Sequence, residues 1–361
     1  MAMFFLGESH VQLEQYDECL EHFHSFLAQE KKHSLTTRAK FRLGEAYYLL
    51  GRDDESIREL TALLAADQER QFTEFTLAYL GEMLLKQASA TSLQLARDYL
   101  QRVVNDYPDS SLLARSQLGL AQAFQKQGEM ETAESLLKSL QTSSDPSIAE
   151  EATLILAALW IERGQAEQVR EALSDDMISQ LSANQQPKAR YWRGRAEMAV
   201  KNWSQAGELI LASAPQLDDT RLQQAAWYDA AICFWQAGDL VQAQQLLRQS
   251  IEKFPTGDWA AESLFLLLQA AARDPQSAEA TEHAETFLTR FPDHSLANKV
   301  RETLGRQALN RRDHAQSEVQ FQSLLSKPVS TPDNSLERAN WYYLLALSQI
   351  GLDNLEQGLE S

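Results

Sequence analysis

The side chains that could act as soft metal ligands or as nucleophiles lie near the start of the chain, at His10, Cys19, His22 and His24. Imidazoles and thiolates bind zinc when three or four of them converge on one point. His22 and His24 are two residues apart on a predicted helix, so they point to different faces and make a poor chelate. We expect no metal site here, and we expect Cys19 to pack as a small apolar side chain.

A second pattern has the form of a catalytic motif, Ser135-Leu-Leu-Lys138. Its two leucines belong to an apolar helical stripe, which places the pattern in the middle of a packed helix. The sequence contains no phosphate-binding loop, dinucleotide fingerprint, His-Glu-x-x-His or nucleophile elbow. We therefore predict a protein that is not an enzyme, with no catalytic residues and no cofactor.

Basic and aromatic side chains combine within one predicted helix, at Lys188, Tyr191, Trp192 and Arg195. Basic groups beside aromatic faces suit an acidic segment of a protein partner. Pairing with carboxylates of the same chain is the alternative. Arg193 stands where other parts of the pattern have an apolar residue, and it must reach a carboxylate or the surface because a buried unpaired charge is costly.

Charge and composition exclude several classes of function. The 361 residues include 33 Lys and Arg against 51 Asp and Glu, a formal net charge of −18, which argues against nucleic-acid binding. Cys19 and Cys233 are the two cysteines, and we expect both as free thiols. The longest apolar run, Leu154 to Ile161, is far shorter than the ~20 residues that cross a bilayer, so we predict no transmembrane segment.

An internal repeat organises the chain. Three segments show it best: Phe41-Arg-Leu-Gly-Glu-Ala-Tyr47 before Gly51, Leu118-Gly-Leu-Ala-Gln-Ala-Phe124 before Gly128, and Trp227-Tyr-Asp-Ala-Ala-Ile-Cys-Phe234 before Gly238. One marker position, most often Gly or Ala, recurs every 36 to 40 residues: Gly7, Gly44, Gly81, Ala121, Ala157, Gly194, Ala231, Leu268, Gly305 and Leu344. Apolar residues recur at i, i+3, i+4 and i+7 within each repeat, which predicts two amphipathic helices, A and B.

The glycines occupy two positions of this repeat. Those at the marker position are predicted to let helix B approach helix A closely. A second group lies seven residues later, where a left-handed residue is expected to end helix A: Gly51, Gly128, Gly164, Gly238 and Gly351. Glycine at both positions therefore predicts a helical hairpin as the repeated element.

These segments, with the closing pairs Tyr107-Pro108, Phe254-Pro255 and Phe291-Pro292, resemble tetratricopeptide repeat proteins. The resemblance implies an all-α, right-handed α-solenoid of about ten helix-turn-helix repeats. It also implies a scaffold that binds protein or peptide partners in its concave groove. The Phe/Tyr-Pro-x-Ser-x-x-Ala style of the connections is similar to that of bacterial cell-envelope members, such as outer-membrane assembly lipoproteins and Tol-associated periplasmic coordinators, which implies a periplasmic or envelope location.

We expect one continuous array over residues 1–361, with repeats near 1–36, 37–73, 74–113, 114–149, 150–186, 187–223, 224–260, 261–297, 298–335 and 336–361, the last incomplete. Both ends fall within a repeat. We therefore expect an excerpt of a longer protein, or open ends that meet a partner or another copy of the chain. The alternative function is a substrate-recruiting or assembly arm of a larger enzyme or a polysaccharide-export machine.

In this family helix A lines the groove, and the positions three before and four after the marker point into it. These positions and the basic residues near them give the candidate partner-binding residues: Phe41, Tyr48, Lys188, Tyr191, Trp192, Arg195, Tyr228, Trp235, Phe265, Lys299, Arg306 and Trp341. Packing between neighbouring A helices is the alternative for the aromatic members. The asparagine-containing carboxylate clamp of chaperone-binding members is disfavoured, since its positions read Arg38, Phe41, Arg42 and Glu45.

Overall fold

The computed structural model describes residues 1–30, 33–66, 70–87, 89–326 and 335–352. In these ranges the chain forms twenty α-helices and no β-strand. The all-α tetratricopeptide fold that the repeat predicts is confirmed. None of the described helices has the length and apolarity that crossing a membrane requires.

The chain divides into two compact units. The N-terminal unit comprises Met1–Ala172 and Gln180–Gln185, and the C-terminal unit comprises Leu173–Ser179 and Gln186–Ser361. The helices of the N-terminal unit are α1 (Ala2–Gln12), α2 (Tyr16–Gln29), α3 (Thr36–Leu49), α4 (Asp53–Ala66), α5 (Thr73–Lys86), α6 (Ala90–Asp106), α7 (Leu113–Lys126), α8 (Met130–Leu140), α9 (Pro146–Glu162) and α10 (Ala166–Ala172).

The residues of the short helix α11 (Asp175–Gln180) are divided between the two units. The C-terminal unit continues with α12 (Gln186–Ala199), α13 (Trp203–Ser213), α14 (Thr220–Ala237), α15 (Leu240–Lys253), α16 (Ala260–Ala271), α17 (Ala278–Arg290), α18 (Ala297–Asn310), α19 (His314–Ser326) and α20 (Ser335–Gly351). A 3-10 turn, Ala214–Gln216, follows α13.

The ten marker residues lie on ten different helices, which we call the A helices: α1, α3, α5, α7 and α9 in the N-terminal unit, and α12, α14, α16, α18 and α20 in the C-terminal unit. The helix that follows each of the first nine is a B helix. Within each unit, consecutive helices pack on one another, and α3, α5, α7 and α9 also touch in sequence. A single hairpin cannot bury its apolar stripe alone, so neighbouring hairpins share a core. The repeat boundaries themselves stay a prediction.

The marker glycines lie where an A helix touches its B helix. A Cβ atom added at Gly44 would lie 2.6 Å from Cγ of Leu60, and one at Gly194 would lie 2.5 Å from Cγ1 of Ile210. The predicted close approach is thus confirmed at these positions. The small residue Ser56 strengthens one contact, since its hydroxyl donates a hydrogen bond of 2.7 Å to the carbonyl oxygen of Gly44.

The turn glycines mostly behave as predicted. Gly51, Gly128, Gly164 and Gly238 all have positive φ, between 70° and 90°. The prediction is wrong for Gly351, which is the last residue of α20 and does not adopt the left-handed conformation. It packs closely on the ring of His314, so this glycine provides space for a side chain instead of a turn.

The left-handed position is also filled by residues other than glycine. Glu14, Lys201 and Arg312 lie seven residues after a marker and have φ of 58° to 62°. This conformation is unfavourable for a residue with a Cβ atom. The packing of the two helices that flank the turn therefore imposes the left-handed residue even where the sequence does not supply glycine.

We predict that Gly194→Val lowers the free energy of unfolding by about 3 kcal/mol, because a branched side chain would overlap Ile210 in a fully packed contact. Gly128→Asn is the matched control. Nothing lies within 4 Å of the position a Cβ would take at Gly128, and asparagine tolerates the left-handed conformation, so its effect should stay below about 1 kcal/mol. Urea unfolding measures both. An equal loss of unfolding free energy in the two variants would contradict the role of Gly194 in the close helix contact.

Candidate partner-binding groove

The twelve candidate residues differ widely in exposure. Phe41, Tyr191 and Trp341 are buried, with 4%, 1% and 6% of their surface exposed. The half-buried members are Tyr48, Lys188, Trp192, Arg195, Tyr228, Trp235 and Phe265, and the exposed ones are Lys299 and Arg306. For the three buried aromatic residues, packing in the core is the role that the structure shows.

One group of candidates comes together in the C-terminal unit. The hydroxyl of Tyr191 donates to Oδ2 of Asp229 at 3.0 Å. Nη1 of Arg195 donates to both, at 3.0 Å to the tyrosine oxygen and 3.1 Å to the carboxylate. Trp192 and Tyr228 pack against the core cluster that contains Tyr191. The structure therefore joins Arg195 to a partner within the chain, across 34 residues of sequence.

Burial sets the electrostatics of this group. It raises the pKa of the Asp229 carboxyl, and the guanidinium of Arg195 and the hydroxyl of Tyr191 oppose the shift. Burial also disfavours the charged form of Arg195, but Asp229 and Tyr191 together more than offset that effect, and the pKa of Arg195 is raised. The guanidinium of Arg195 and the carboxylate of Asp229 thus form an ion pair with each other. Local ion pairing, the alternative to an acidic ligand, is what the structure shows here.

The other basic candidates of the C-terminal unit are arranged differently. Arg193 donates to Glu197 at 2.9 Å, and Glu197 is fully buried, so the prediction that Arg193 must find a carboxylate is confirmed. Arg306 pairs with Glu302 one helical turn away, at 2.8 Å. Lys299 is exposed on the same helix as that pair.

The other aromatic candidates of the C-terminal unit do not cluster with Tyr191 and Arg195 but lie at three different positions. Trp235 lies under the guanidinium of Arg273, 5.6 Å from ring centroid to Cζ. Phe265 packs against the core around α16 to α18. Trp341 belongs to the core between α19 and α20. Whether a partner binds these residues stays a prediction.

A concave site on the N-terminal unit lies along α5, α7 and α9 and has a volume of about 860 Å³. Its walls carry Glu82 and Lys86 from α5, and Arg115, Gln122 and Lys126 from α7. The connections before α7 and α9 add serine hydroxyls. A cleft of this size, with both apolar and hydrogen-bonding walls, is typical of a ligand-binding site.

A network of side chains connects three A helices beside this cleft. The hydroxyl of Tyr48, on α3, donates to Oε2 of Glu82 at 2.6 Å. Arg115, on α7, donates to the same carboxylate oxygen at 2.7 Å and also contacts the Tyr48 hydroxyl. Burial and Glu82 raise the pKa of Tyr48, so it stays a protonated donor at neutral pH. The candidate Tyr48 thus links the side chains Glu82 and Arg115, which line the cleft.

A second, smaller cleft of about 340 Å³ lies between α3 and α5. Phe41 stacks on Phe72 with ring centroids 4.6 Å apart, and Tyr48 stacks on Tyr79 at the same distance. Phe72, Phe75 and Tyr79 line the cleft and were not among the candidates. Their spacing of three and four residues is a helical stripe that the sequence does display, but none stands three before or four after the marker.

The cysteines and histidines near the start of the chain take structural positions. Cys19 is fully buried, and burial raises the pKa of its thiol to about 12. Cys19 and Cys233 are free, as predicted. The rings of His10 and His22 stack with centroids 5.0 Å apart, and His24 hydrogen-bonds to the Tyr47 hydroxyl at 2.8 Å. Over the described residues, no group of three or more His, Cys, Asp or Glu side chains could hold a metal ion.

Known families match three regions of this fold. Residues 6–70 and 79–110 match tetratricopeptide repeat families. Residues 220–326, in the C-terminal unit, match the YfiO outer membrane lipoprotein family. Together with the helical hairpins, these matches show tetratricopeptide repeats in the N-terminal unit and a region of the C-terminal unit that is similar to an outer membrane lipoprotein family.

Solved structures are similar to this chain at low sequence identity. The apo form of RapI is 12% identical, with a TM-score of 0.57, over 90% of this chain and 95% of that chain. A tetratricopeptide repeat protein from Parabacteroides merdae ATCC 43184 is 12% identical, with a TM-score of 0.46, over 88% and 100%. A Rap protein complexed with competence and sporulation factor is 13% identical, with a TM-score of 0.46, over 91% and 98%. No curated protein sequence matches the chain.

We predict that Asp229→Ala lowers the free energy of unfolding by about 3 kcal/mol, because it leaves the guanidinium of Arg195 and the hydroxyl of Tyr191 without their buried acceptor. Glu302→Ala is the control, since it removes the acid of the partly exposed pair with Arg306, and its effect should stay below about 1 kcal/mol. Chemical denaturation of both variants checks the difference. A small loss for Asp229→Ala would show that the buried pair contributes little.

Proposed function

We propose that this chain is a non-catalytic scaffold that binds a segment of a protein partner along the A helices of its N-terminal unit. The observation that supports this most directly is the cleft of about 860 Å³ along α5, α7 and α9. Its volume lies in the range of well-formed ligand sites. Its walls stand on packed helices, so the site is held in shape before a partner binds.

The polar groups in this cleft suit an extended peptide. Lys126 donates through Nζ to the backbone carbonyl of Leu85, and the remaining N–H groups of its ammonium suit a peptide carbonyl. Gln122 lies on the same wall and carries both a donor and an acceptor. An extended segment presents its backbone groups at regular intervals, and side chains of this kind bind them without a strict sequence requirement.

The basic patch of the C-terminal unit supports partner binding less strongly. An acidic segment at Lys188 and Arg195 would compete with Asp229, which already accepts two hydrogen bonds there. At Arg306 it would compete with Glu302. We therefore favour the N-terminal groove as the main site and keep the C-terminal patch as a secondary contact.

The proposed setting is a complex in the bacterial cell envelope. The match of residues 220–326 to an outer membrane lipoprotein family supports it. The connections with Phe-Pro that the sequence shows at Phe254 and Phe291 lie in the same region. The scaffold would then present one partner on the N-terminal unit while the lipoprotein-like region contacts other envelope proteins.

The test is site-specific photocrosslinking in cells that produce the chain naturally. A photoreactive residue in place of Gln122, inside the cleft, should give a discrete adduct with an envelope protein. The control places the same residue at Gln94, an exposed position on the B helix α6, and should give none. No adduct from Gln122, or the same adducts from both positions, would contradict the proposed groove. An adduct with a cytosolic protein would contradict the envelope setting.

A further inference from the structure

One position of the repeat, two residues before the marker, reaches toward the preceding A helix. At this position of α5, Tyr79 stacks on Tyr48 of α3 with ring centroids 4.6 Å apart. At the same position of α3, Arg42 donates through Nε to Glu8 of α1 at 3.0 Å. A side chain at this position therefore fills space between two neighbouring A helices.

In α7 this position is Gly119, which has no side chain to fill that space. Every other repeat has a larger residue there: Phe5, Arg42, Tyr79, Ile155, Trp192, Asp229, Leu266, Thr303 and Tyr342. Glycine is unfavourable in the interior of a helix, so helix formation does not account for its presence. Gly119 therefore leaves a gap between α5 and α7.

Two contacts between α5 and α7 border this gap. Arg115 donates to Oε2 of Glu82 at 2.7 Å, and Lys126 donates to the backbone carbonyl of Leu85. The axial rise of an α-helix places Arg115 and Lys126 about 16 Å apart along α7. Gly119 lies between them and lines the cleft of about 860 Å³. The two contacts therefore fix both ends of the gap.

The floor of the gap is apolar. A Cβ atom added at Gly119 would lie 3.1 Å from Cδ1 of Leu100 and 3.3 Å from Cδ1 of Leu85. Leu118, next to the glycine, also lines the cleft. Methyl groups that face a gap have no atoms on that side with which to make dispersion contacts. A large apolar side chain is the group that supplies those contacts.

The charged residues of the cleft balance one another. Its walls carry three basic and three acidic residues: Lys86, Arg115, Lys126, Glu82, Asp145 and Glu151. Two of the cations already pair with carboxylates of this chain, Arg115 with Glu82 and Lys86 with Asp53. Charge complementarity therefore favours an uncharged segment over an acidic or a basic one.

We propose that the gap at Gly119 binds one large apolar side chain, such as leucine, from an uncharged segment of a protein partner. That side chain takes the place which the repeat fills with its own residue elsewhere, as Tyr79 does between α3 and α5. It lies against Leu85 and Leu100, while the backbone of the segment passes along Gln122. This inference rests on the proposed function and specifies the residue by which the cleft selects its partner.

Filling the gap from within the chain should have different effects on stability and on binding. Gly119→Leu supplies the missing side chain, and leucine is a much better helix former than glycine. The nearest atoms are the methyl ends of Leu85 and Leu100, which are flexible enough to make room. Stability should therefore be kept while the side chain of a partner is excluded. A residue that only supports the fold would lose stability and binding together.

The experiment titrates N-acetyl-leucine methylamide, an uncharged leucine with a peptide group on each side, into the full chain with methyl-labelled leucines. We expect saturable NMR shifts of the Leu85, Leu100 and Leu118 methyl resonances that do not depend on salt, because no ionic contact is involved. N-acetyl-alanine methylamide should bind about tenfold more weakly, since it buries much less apolar surface. The absence of these shifts, or equal binding of the two probes, would overturn the proposal.

The variants place the probe at the gap. Gly119→Leu should abolish the shifts at a melting temperature no lower than that of the unchanged chain. Gly119→Ala adds only a Cβ atom and should weaken binding of the leucine probe about threefold, which keeps the test decisive if the larger variant does not fold. Gln94→Leu adds a leucine at an exposed position of α6 and should leave binding unchanged.

Two results from these variants would contradict the proposal. If both Gly119 variants bind the leucine probe as tightly as the unchanged chain does, the probe binds elsewhere. If both variants lose stability in thermal unfolding, the gap is already filled by the side chains around it.

Failure of this inference can be told apart from failure of the proposed function. If the leucine probe does not bind but the crosslink from Gln122 forms, the scaffold function stands and the side-chain pocket is wrong. If the probe binds at Gly119 but no crosslink forms, the pocket stands and the proposed function fails. If neither is observed, the cleft is not a binding site.

Discussion

The whole structure depends on one contact, the close approach of an A helix to its B helix at the marker position. A backbone without a Cβ atom, as at Gly44 and Gly194, lets Leu60 or Ile210 lie directly on the helix. Side chains in such contacts are packed as densely as in a crystal, so each hairpin has one preferred geometry. Because the contact recurs along the chain, the hairpins of each unit stack in a constant way and bury their apolar stripes in shared cores.

In this arrangement the A helices of the N-terminal unit carry the side-chain networks that connect neighbouring repeats. The A helices of the N-terminal unit bring polar side chains from distant parts of the sequence together, as in the network of Tyr48, Glu82 and Arg115. The net charge of −18 keeps the protein apart from other acidic molecules and supports its solubility.

The repeat made much of the fold predictable, since a marker every 36 to 40 residues indicates which helices pair and where the turn between them falls. Residue type alone did not reveal that Lys201 and Arg312 are left-handed, because the packing of the neighbouring helices imposes that conformation on them. The sequence suggested that the basic patch at Arg195 could bind an acidic ligand. In the structure, Asp229 of the next A helix neutralises the charge of Arg195. Carboxylates that pair across repeats lie about one repeat away, at 34 residues for both Arg42 with Glu8 and Arg195 with Asp229, but this spacing was recognisable only once the pairs were seen. A cleft between helices leaves no spacing of its own in the sequence. The cleft lined by Phe75 therefore emerged only from the structure.

The central claim is that partners bind to the A-helix face of the N-terminal unit. Hydrogen exchange of the chain, measured alone and with the partner that the crosslink from Gln122 identifies, tests this claim. We expect slower exchange in Thr73–Lys86 and Leu113–Lys126, which line the larger cleft, and unchanged exchange in Asp53–Ala66 and Ala90–Asp106 on the B helices. Protection confined to those B helices, or spread evenly over both kinds of helix, would contradict it.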